Sequence, residues 1–554
     1  MKRRVKAFYR DKAGKTYEYH WIGYQTRNKN GTSYFEREVN ISSLPDYEIE
    51  RIDKALRAND QEVVCKSLIK FSSSIDIGSH WAILRISENS GIYDELFDKL
   101  SPTHSTAILA MIVDRVSNPN PYSKLMLSKA HPKSGLARIL APGKIPFNDW
   151  YSSLDELYEK QSLIEKALMP KVDSNTIFMY DITSIYFEGD CCSLTKFGYN
   201  RDGKKGKKQI VVGMLTNSCG RPLGVRVFEG NTKDASTVLE QMSNVKTEFG
   251  VDEFIFIGDR GMVTGTIRDE LLTLPESGID YITALTRGEI MKLANDENHP
   301  LQATLFDEEI AEVRDENLRY VLCCNPLKCD EDKKTRLALL AKTEDKLKNI
   351  EKNVKQGRYK KEKVIAKRLY RWLNRWGMGK CFEVDYSDEK FKYTLNQEKI
   401  DELERLDGCY VITTTVKTDV MDKNEIVSRY KSLIWVEQIF RHMKTTDEFT
   451  RPVRHWNADR VKGHVFMCML AYLVIWLARN AFVEFLERDD TCMCEGGSLR
   501  EIWEELDRGI TIGTLSFDGE KEDQLSPIPK YQKRLLKAVN AGINKKEKER
   551  LMVV

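Results

Sequence analysis

The sequence lacks the marks of a secreted or membrane protein. It begins Met-Lys-Arg-Arg and continues with charged residues, so it has no apolar segment of the kind that a secretory signal requires. The longest apolar run, residues 465–478, is too short to cross a bilayer of about 30 Å as a helix. We therefore expect a buried core helix there, a cytoplasmic protein and no membrane partner.

Signatures of disulfides, structural zinc and strong net charge are also missing. The twelve cysteines have no even framework of spacings, which is typical of reduced cytosolic thiols. The pairs at 191–192 and 323–324 and the triplet at 492–494 lack the CxxC or HxxxH partners of a zinc site. A net charge of +3, from 87 basic and 84 acidic residues, means that nucleic-acid affinity must come from local basic clusters.

What is present indicates a soluble protein of several parts. A composition of 41% hydrophobic and 31% charged residues is globular, and 554 residues exceed the size of a single core. Alternating residues around Gly14 predict an N-terminal β-hairpin, and helical spacing follows from about 45 to 170. No internal repeats are detectable.

Two short apolar runs that end in acids begin the informative part of the chain. Residues 176–182 include Asp181, residues 253–259 end in Asp259, and both runs have the pattern of a buried strand. If the two strands are neighbours in a sheet, the two aspartates meet at its carboxyl edge.

The segments around these runs predict a mixed α/β sheet. A hairpin at 209–228 follows the first strand, and then come a helix, the second aspartate strand, another helix and a strand at 281–285. The order βββαβαβ requires crossover helices. The pattern breaks from about 287 to 405, which we interpret as an inserted domain, and helical spacing resumes at Ser428.

Residues 428–444 predict one continuous helix that presents an acid among cations. At about 100° per residue, a sector of roughly 80° holds five residues: Tyr430, Leu433, Glu437, Arg441 and Lys444. A buried carboxylate costs several kcal/mol unless it is paired or bound to a metal. We therefore expect a partner for Glu437, and for both aspartates.

Three carboxylates on two strands and a helix suit a hard divalent cation. Mg²⁺ takes oxygen ligands, usually a few carboxylates with waters and substrate phosphates. Two ions about 4 Å apart would activate a water or a 3′-hydroxyl and stabilise the leaving oxygen in an in-line attack on phosphorus. Taken singly, each acid is more often structural, because aspartate is common where strands turn into loops.

In this order the motifs resemble the DDE transposases of bacterial insertion sequences. The blocks are YDITSIYFEG with Asp181, IFIGDRGM with Asp259 and YKSLIWVEQIFRHMK with Glu437. Within that family they resemble the insertion-sequence-four-like subgroup, with its Tyr-(2)-Arg-(3)-Glu-(6)-Lys signature. Tyr430, Glu437 and Lys444 match it; Leu433 replaces the arginine, with Arg429 and Lys431 as nearby cations. The similarity covers about residues 170–480.

The resemblance implies a ribonuclease H-like catalytic domain whose sheet is interrupted by an insertion before the glutamate. Asp181, Asp259 and Glu437 would then be the catalytic residues and the ligands of two Mg²⁺ ions, for which Mn²⁺ would substitute. It implies binding of terminal inverted repeats, cleavage at element ends and joining of 3′ ends to target DNA. A synaptic homodimer, phosphate contacts by Tyr430 and Lys444, and a location at the bacterial nucleoid are implied as well.

Other basic residues near the acids are candidates for DNA binding. The glycine-rich segment 201–208 would follow a phosphate backbone, and its bland alternative is a solvated loop. Arg260 would contact a phosphate, although a local salt bridge is equally expected. The candidate DNA-binding cations are Arg260, Arg441, Lys444, Lys204, Lys205, Lys207 and Lys208.

Aromatic residues and histidines leave alternatives open. In the predicted insertion, Trp372 and Trp376 lie among cations and would stack on an unpaired base. We favour the alternative that they form the buried side of an amphipathic helix. His442 and His455 would be bases or DNA contacts, but metal-bound water already has a lowered pKa and needs little help from a base.

The predicted organisation has six regions, and two other functions remain open. The alternatives to a transposase are a metal-dependent nuclease without strand transfer and an inactive DNA-binding protein whose acids are structural. The regions are a β-rich region (1–65), a helical, DNA-end-binding region (66–170), the first part of the catalytic domain (171–286), the insertion (287–405), the second part (406–480) and a helical C-terminal region (481–554).

Overall fold

The computed structural model of the protein describes residues 2–28, 30–57, 70–140, 144–171, 176–189, 191–199, 206–273, 278–294, 296, 299–301, 310–315, 318–445, 455–486, 498–517, 520–544, 547 and 551. The chain forms two units. The first comprises Met1–Ile75, Thr511–Ser526 and Lys548–Val554, and the second comprises Asp76–Ile510 and Pro527–Glu547.

The first unit begins with the predicted hairpin. Strands β1 (Lys2–Arg10), β2 (Thr16–Arg27) and β3 (Ser33–Asn40) form an antiparallel sheet, and helix α1 (Asp46–Arg57) follows it. The turn between β1 and β2 contains Gly14 with φ of +84°, a conformation that glycine adopts without steric cost. The hairpin prediction is confirmed.

A second sheet in this unit joins residues far apart in the sequence. Strand β4 (Lys70–Asp76) pairs with β15 (Thr511–Phe517), and β15 forms a hairpin with β16 (Glu520–Leu525). The prediction of a helical C-terminal region is therefore wrong for these residues. The β-branched side chains of Thr511 and Ile512 favour a strand. The backbone of that strand is hydrogen-bonded to β4, which is distant in the sequence.

Helices make up the first part of the second unit, as their spacing predicted. They surround helix α17 (Ala458–Ala481), which packs against three of them. At Gly463, near the start of α17, an added Cβ would lie 1.9 Å from the backbone oxygen of Leu154, so the two helix backbones touch there. The helices are α2 (Gly78–Asn89), α3 (Ile92–Lys99), α4 (Pro102–Ser117), α5 (Lys124–Ala130), α6 (Gly135–Leu140), α7 (Asp149–Glu159) and α8 (Gln161–Ala167).

Helix α17 is also the one described helix that is long and apolar enough to cross a membrane. Within the unit, 78% of its most apolar window is buried. Its middle, residues 465–475, is buried on every side, which confirms the prediction of a core helix.

An eight-stranded mixed sheet forms the centre of the second unit. Its order is β10-β11-β14-β9-β8-β5-β6-β7. Along the chain the elements from β5 to β9 follow the predicted order βββαβαβ, with helices α9 (Asp234–Thr247) and α10 (Gly265–Thr273) as the two crossovers. The strands are β5 (Ile177–Tyr186), β6 (Gln209–Asn217), β7 (Pro222–Glu229), β8 (Phe254–Gly258), β9 (Ile279–Ala284), β10 (Ile310–Asp315), β11 (Leu318–Cys324) and β14 (Cys409–Thr414).

The crossover helices bury one face of this sheet. Phe178 and Tyr180 of β5 and Phe256 of β8 pack in one cluster with Val238 of α9 and Ile267 of α10. Because successive side chains of a strand point to opposite faces, Asp181 and Ile257 point to the other face. Two helices described below, at 423–445, pack against that face.

The segment predicted as an insertion contributes strands to the sheet and also forms a core of its own. After α11 (Arg287–Ala294), β10 and β11 extend the sheet at one edge. The elements that follow pack around a separate cluster that includes Leu347, Ile365 and Phe382. They are α12 (Pro326–Lys355), α13 (Glu362–Leu373), β12 (Phe382–Ser387), β13 (Lys390–Leu395) and α14 (Gln397–Arg405).

The remaining helices lie after β14. They are α15 (Lys423–Lys431), α16 (Ile434–Thr445), α18 (Val483–Leu486), α19 (Leu499–Gly509) and α20 (Lys530–Ala538). Helix α19 begins with a capping box in which Ser498 and Glu501 satisfy each other's backbone N–H groups.

Candidate active site

Asp181 and Asp259 lie side by side on neighbouring parallel strands. The last residues paired between β5 and β8 are Tyr180 and Gly258, so the two aspartates are the next step in the same register. Neighbouring strands lie about 4.8 Å apart, which makes the aspartate backbones close neighbours. The strands are adjacent, as the prediction required, but Asp181 lies in the middle of β5 and not at its end.

The chain leaves the sheet at Asp259 for a local reason. Strand β8 is buried throughout, and a tight turn follows in which Met262 N and Val263 N both donate to the carbonyl of Asp259, at 2.9 and 3.1 Å. The Asp259 side chain is exposed as a result. The Asp181 side chain is half-buried, and one of its oxygens accepts a hydrogen bond of 2.8 Å from its neighbour Ile182 N.

Glu437 is carried by α16, and the helix that we predicted around it is not continuous. Helix α15 ends at Lys431, and the next hydrogen bonds run from Leu433 N to Tyr430 O and from Val436 N to Leu433 O. These three-residue steps form a turn that breaks the helix before α16. Tyr430 and Glu437 therefore belong to different helices, although Tyr430, Leu433 and Glu437 of the predicted face still line the same cleft.

All three acids nevertheless line one cleft of about 540 Å³. The cleft lies on the sheet face covered by α15 and α16. The residues that line it are Asp181, Asp259, Arg260, Ala284, Leu285, Tyr410, Tyr430, Lys431, Leu433, Ile434 and Glu437.

The three acids are less buried than we predicted. Glu437 and Asp259 are both exposed, and Asp181 is half-buried, whereas we expected these carboxylates in an apolar environment. Because the acids are open to solvent, a substrate and a metal ion can both reach them.

The donor chemistry of the cleft suits a hard divalent ion, although the acids are not drawn together. Three carboxylates face one open space, and oxygen ligands are what such ions take. Among the described residues, no three His, Cys, Asp or Glu side chains are grouped closely enough to hold a metal ion. Any shared metal site therefore requires these carboxylates to approach each other.

Tyr430 joins the cleft to one of the aspartates. Its hydroxyl donates a hydrogen bond of 3.3 Å to Asp259 Oδ1. Burial, and then the negative charge of Asp259, raise the pKa of the Tyr430 hydroxyl above its usual value of 10. The hydroxyl therefore stays protonated at neutral pH and remains a donor.

The cations in and beside the signature motif are spread around the cleft and outside it. Lys444 Nζ contacts Thr183 Oγ1, two residues beyond Asp181 on β5. Leu433 lines the cleft where the signature has arginine, and Lys431 lines it beside Leu433. Arg429 forms an ion pair of 3.0 Å with Glu425, whereas Arg441 is exposed and does not line the cleft.

The structure describes only part of the glycine-rich basic segment. Lys204 and Lys205 lie outside the described residues. Lys207 forms an ion pair of 3.0 Å with Glu188, and the carbonyl of Lys208 accepts a hydrogen bond of 2.9 Å from Phe187 N. Arg260 lines the cleft, exposed to solvent.

The two histidines lie outside the cleft. His442 contacts Arg479 at 3.3 Å, and burial lowers its pKa. His455 packs against Tyr151, and burial lowers its pKa to about 3. Both are therefore neutral at physiological pH, and neither lines the cleft that holds the three acids.

The two tryptophans of the insertion are half-buried. Trp372 packs against the apolar cluster of that segment, as the amphipathic alternative predicted. The guanidinium of Arg375 lies 5.1 Å from the ring centre of Trp372 and 5.6 Å from that of Trp376. One face of the pair is thus occupied by a cation of the same chain.

Sequence reasoning missed two residues of this region. Tyr410 lines the cleft from β14, a strand to which our sequence analysis assigned no site residue. Thr183 receives Lys444, and its place two residues after Asp181 on the same strand face was the available signal.

A known protein family matches the part of the chain that contains the three acids. The model of a family described as transposase DDE domain matches residues 174–474, which is more than half of the chain. No curated protein matches the chain. A similar solved structure is the cryo-EM structure of the piggyBac transposase synaptic complex with hairpin DNA. The two chains share 9% sequence identity, and the match covers 78% of this chain and 77% of that chain with a TM-score of 0.35.

Proposed function

Because this chain belongs to the transposase DDE-domain family, it is a DNA transposase, and we propose that it cleaves DNA at terminal inverted repeats and joins the freed 3′ ends to target DNA. The observation that carries the proposal is that Asp181, Asp259 and Glu437, from two strands and a helix, line a single open cleft. That convergence gives one place where a phosphodiester meets three carboxylates.

We propose that the sheet is a ribonuclease H-like core. Numbered from the first aspartate strand, β5 to β9 lie in the spatial order 3-2-1-4-5, read from β7 to β9. The first three strands are antiparallel, and the fourth and fifth are parallel to the first. This topology supports the proposal, since it places the two aspartates on the central strands.

We propose that the three acids are the catalytic residues and hold two Mg²⁺ ions, with Mn²⁺ as a substitute. When bound, such ions would activate the attacking oxygen and stabilise the leaving one. The exposed carboxylates supply suitable ligands, but they are not yet grouped. The proposal therefore includes an approach of Glu437 towards the aspartates when DNA binds, and the turn between α15 and α16 is where the backbone would adjust.

The cations and the tyrosine around the cleft then position the DNA. Lys431 and Arg260 flank the acids and would neutralise phosphates next to the scissile bond. We assign the chain to the insertion-sequence-four-like subgroup, although Leu433 stands where the signature of that subgroup has arginine. Lys431, which also lines the cleft, would supply the missing positive charge. Tyr430 holds Asp259, and Lys444, Arg441 and the basic segment at 204–208 would contact the backbone farther away.

We further propose that the chain works as a homodimer that holds two element ends together, and that the helical region at 66–170 binds the repeats. We place this complex at the nucleoid in a bacterial cytoplasm. The support is the resemblance of the motifs to those of insertion-sequence transposases. A dimer places two clefts on two ends at once, which joining both ends to one target requires.

The test uses duplexes that carry the inverted repeats from beside the gene, with Mg²⁺ and the full-length chain. We expect cleavage at the repeat boundary, and joining of pre-cut ends to a plasmid. Asp181→Asn, Asp259→Asn and Glu437→Gln would each abolish cleavage and leave repeat binding largely intact, since cations supply most of the binding energy.

Two other outcomes would contradict parts of this proposal. Cleavage without joining of pre-cut ends would identify a nuclease without strand transfer. Repeat binding with no metal-dependent cleavage by the wild-type chain would identify an inactive DNA-binding protein. Glu425→Gln is the matched control, because Glu425 lies on α15 and pairs with Arg429 outside the cleft.

A further inference from the structure

Two cysteines on neighbouring strands of the sheet touch each other. Cys324 is the last residue of β11, Cys409 is the first residue of β14, and the two are direct partners in the antiparallel register. Their sulfur atoms lie 2.8 Å apart, which is inside the contact distance of two unbonded sulfurs. Neither cysteine is in a disulfide, and both residues are half-buried and so partly open to solvent.

The backbone geometry at this pair suits a covalent bond. One step along the register, Asn325 N donates a hydrogen bond of 3.0 Å to Gly408 O. Hydrogen-bonded and non-hydrogen-bonded pairs alternate along an antiparallel ladder, so Cys324 and Cys409 form a non-hydrogen-bonded pair. Such pairs have Cα atoms about 4.5 Å apart and close side chains, which falls within the range of about 4.4–6.8 Å that disulfides span.

We propose that Cys324 and Cys409 form an intrachain disulfide on exposure to a low-molecular-weight disulfide such as oxidised glutathione. The thiolate of one cysteine attacks a sulfur of the reagent and releases one glutathione thiol. The thiolate of the other attacks the protein sulfur of the mixed disulfide and releases the second. The two cysteine protons end on the two released thiols, and the protein loses the two electrons that the reagent gains.

The position of the pair gives the bond a structural consequence. The elements α12, α13, β12, β13 and α14 all lie between the two cysteines in the sequence. A disulfide would therefore close the base of this segment where it leaves and rejoins the sheet. It would also fix the start of β14, whose next residue, Tyr410, lines the candidate cleft.

Nearby groups set the speed and the specificity of the reaction. Burial, and then the neighbouring Cys324, raise the pKa of the Cys409 thiol to about 12. Since the thiolate is the reactive form, oxidation should be slow at neutral pH and faster as the pH rises. Cys329 is the competing thiol, because its backbone lies beside Gly408, where an added Cβ would be 2.7 Å from Cys329 N.

Peptide mapping of the full-length chain tests the proposal. The chain is incubated with oxidised glutathione, alkylated, digested with trypsin without reduction and analysed by mass spectrometry. We expect residues 320–328 to be joined to residues 406–417, with the summed mass of the two peptides less two hydrogen atoms, plus one alkyl group on Cys323 when that thiol reacts. Because the first peptide also contains the buried Cys323, Cys324→Ser must abolish this product, whereas Cys219→Ser, at an exposed thiol elsewhere, must leave it unchanged.

Several results would overturn the assignment. They are a product that joins residues 406–417 to residues 329–333, persistence of the expected product in Cys324→Ser, and recovery of glutathione adducts or alkylated thiols only. As a second readout, oxidation should raise the melting temperature of the wild-type chain and leave that of Cys324→Ser unchanged. An equal shift in both proteins would also contradict the proposal.

Discussion

A buried ion pair between the helical part of the second unit and its sheet gives a prediction with a worked magnitude. Glu165 on α8 has a fully buried side chain, and one of its oxygens accepts a hydrogen bond of 2.7 Å from Arg226 on β7. The other oxygen accepts from Gln161 Nε2 at 2.7 Å and from Val225 N at 3.1 Å. Arg226 also contacts Glu248.

Arg226→Ala would leave the Glu165 carboxylate buried without its cation. Breaking such a pair from one side costs about 3–5 kcal/mol, and we expect a loss of that size in the free energy of unfolding. Burial already raises the pKa of Glu165. A carboxyl group with a raised folded pKa favours the fold while it is protonated, and that contribution is lost as the pH rises through the folded pKa. The variant should therefore be less destabilised at pH 5 than at pH 8.

The assay is urea denaturation at both pH values of the wild-type chain, Arg226→Ala, Glu165→Gln and the double variant. Glu165→Gln removes the negative charge that pairs with Arg226. The loss of unfolding free energy in the double variant should therefore be clearly smaller than the sum of the losses in the two single variants. A cost below about 1 kcal/mol for Arg226→Ala, the level of an exposed pair, would refute the reasoning. Additive single losses would refute it as well.

Three further predictions concern packing, protonation and the cleft. Gly463→Ala should lower the free energy of unfolding by about 3 kcal/mol or more, because its Cβ would lie 1.9 Å from Leu154 O. The control in the same denaturation assay is Gly288→Ala, in a helix, where no atom lies within 4 Å of the new Cβ. This control should be neutral or stabilising by up to about 1 kcal/mol. Burial lowers the pKa of His131 to about 4, so its contribution to stability is present at pH 7 and lost as the pH falls from about 6.5 towards 4. His131→Gln should reduce the loss between pH 7 and 5 by about 2 kcal/mol, and an unchanged loss would contradict this. Tyr430→Phe removes the hydrogen bond to Asp259 and should slow end cleavage about tenfold, or about 1.4 kcal/mol, without lowering the melting temperature; an unchanged rate would exclude a role for the hydroxyl.

The strands around the aspartates were predictable because their signal is local. The apolar runs that include Asp181 and end at Asp259 have the length and the β-branched or aromatic content of buried strands, and the hairpin and crossover helices between them left few topologies. The meeting of the two acids was predicted on the condition that their strands are neighbours, and the strand order meets that condition. The pairing of β4 with β15 was not predictable, because strands more than 400 residues apart in the sequence leave no local pattern.

The glutamate helix shows the limit of periodicity. Residues 428–444 keep an unbroken helical spacing, yet the backbone turns between Lys431 and Ile434, and neither glycine nor proline marks the break. The exposure of Glu437 was also hidden, because burial depends on the open cleft between the sheet and α16 and not on the apolar neighbours of Glu437 in the sequence.

The central claim is that Asp181, Asp259 and Glu437 together hold divalent ions, and metal titration tests it most directly. Manganese binding to the full-length chain with repeat DNA is measured by electron paramagnetic resonance. We expect tight binding by the wild-type chain and by Glu425→Gln, and loss of tight binding in each of Asp181→Asn, Asp259→Asn and Glu437→Gln. Wild-type binding in any one of those three variants would contradict the account.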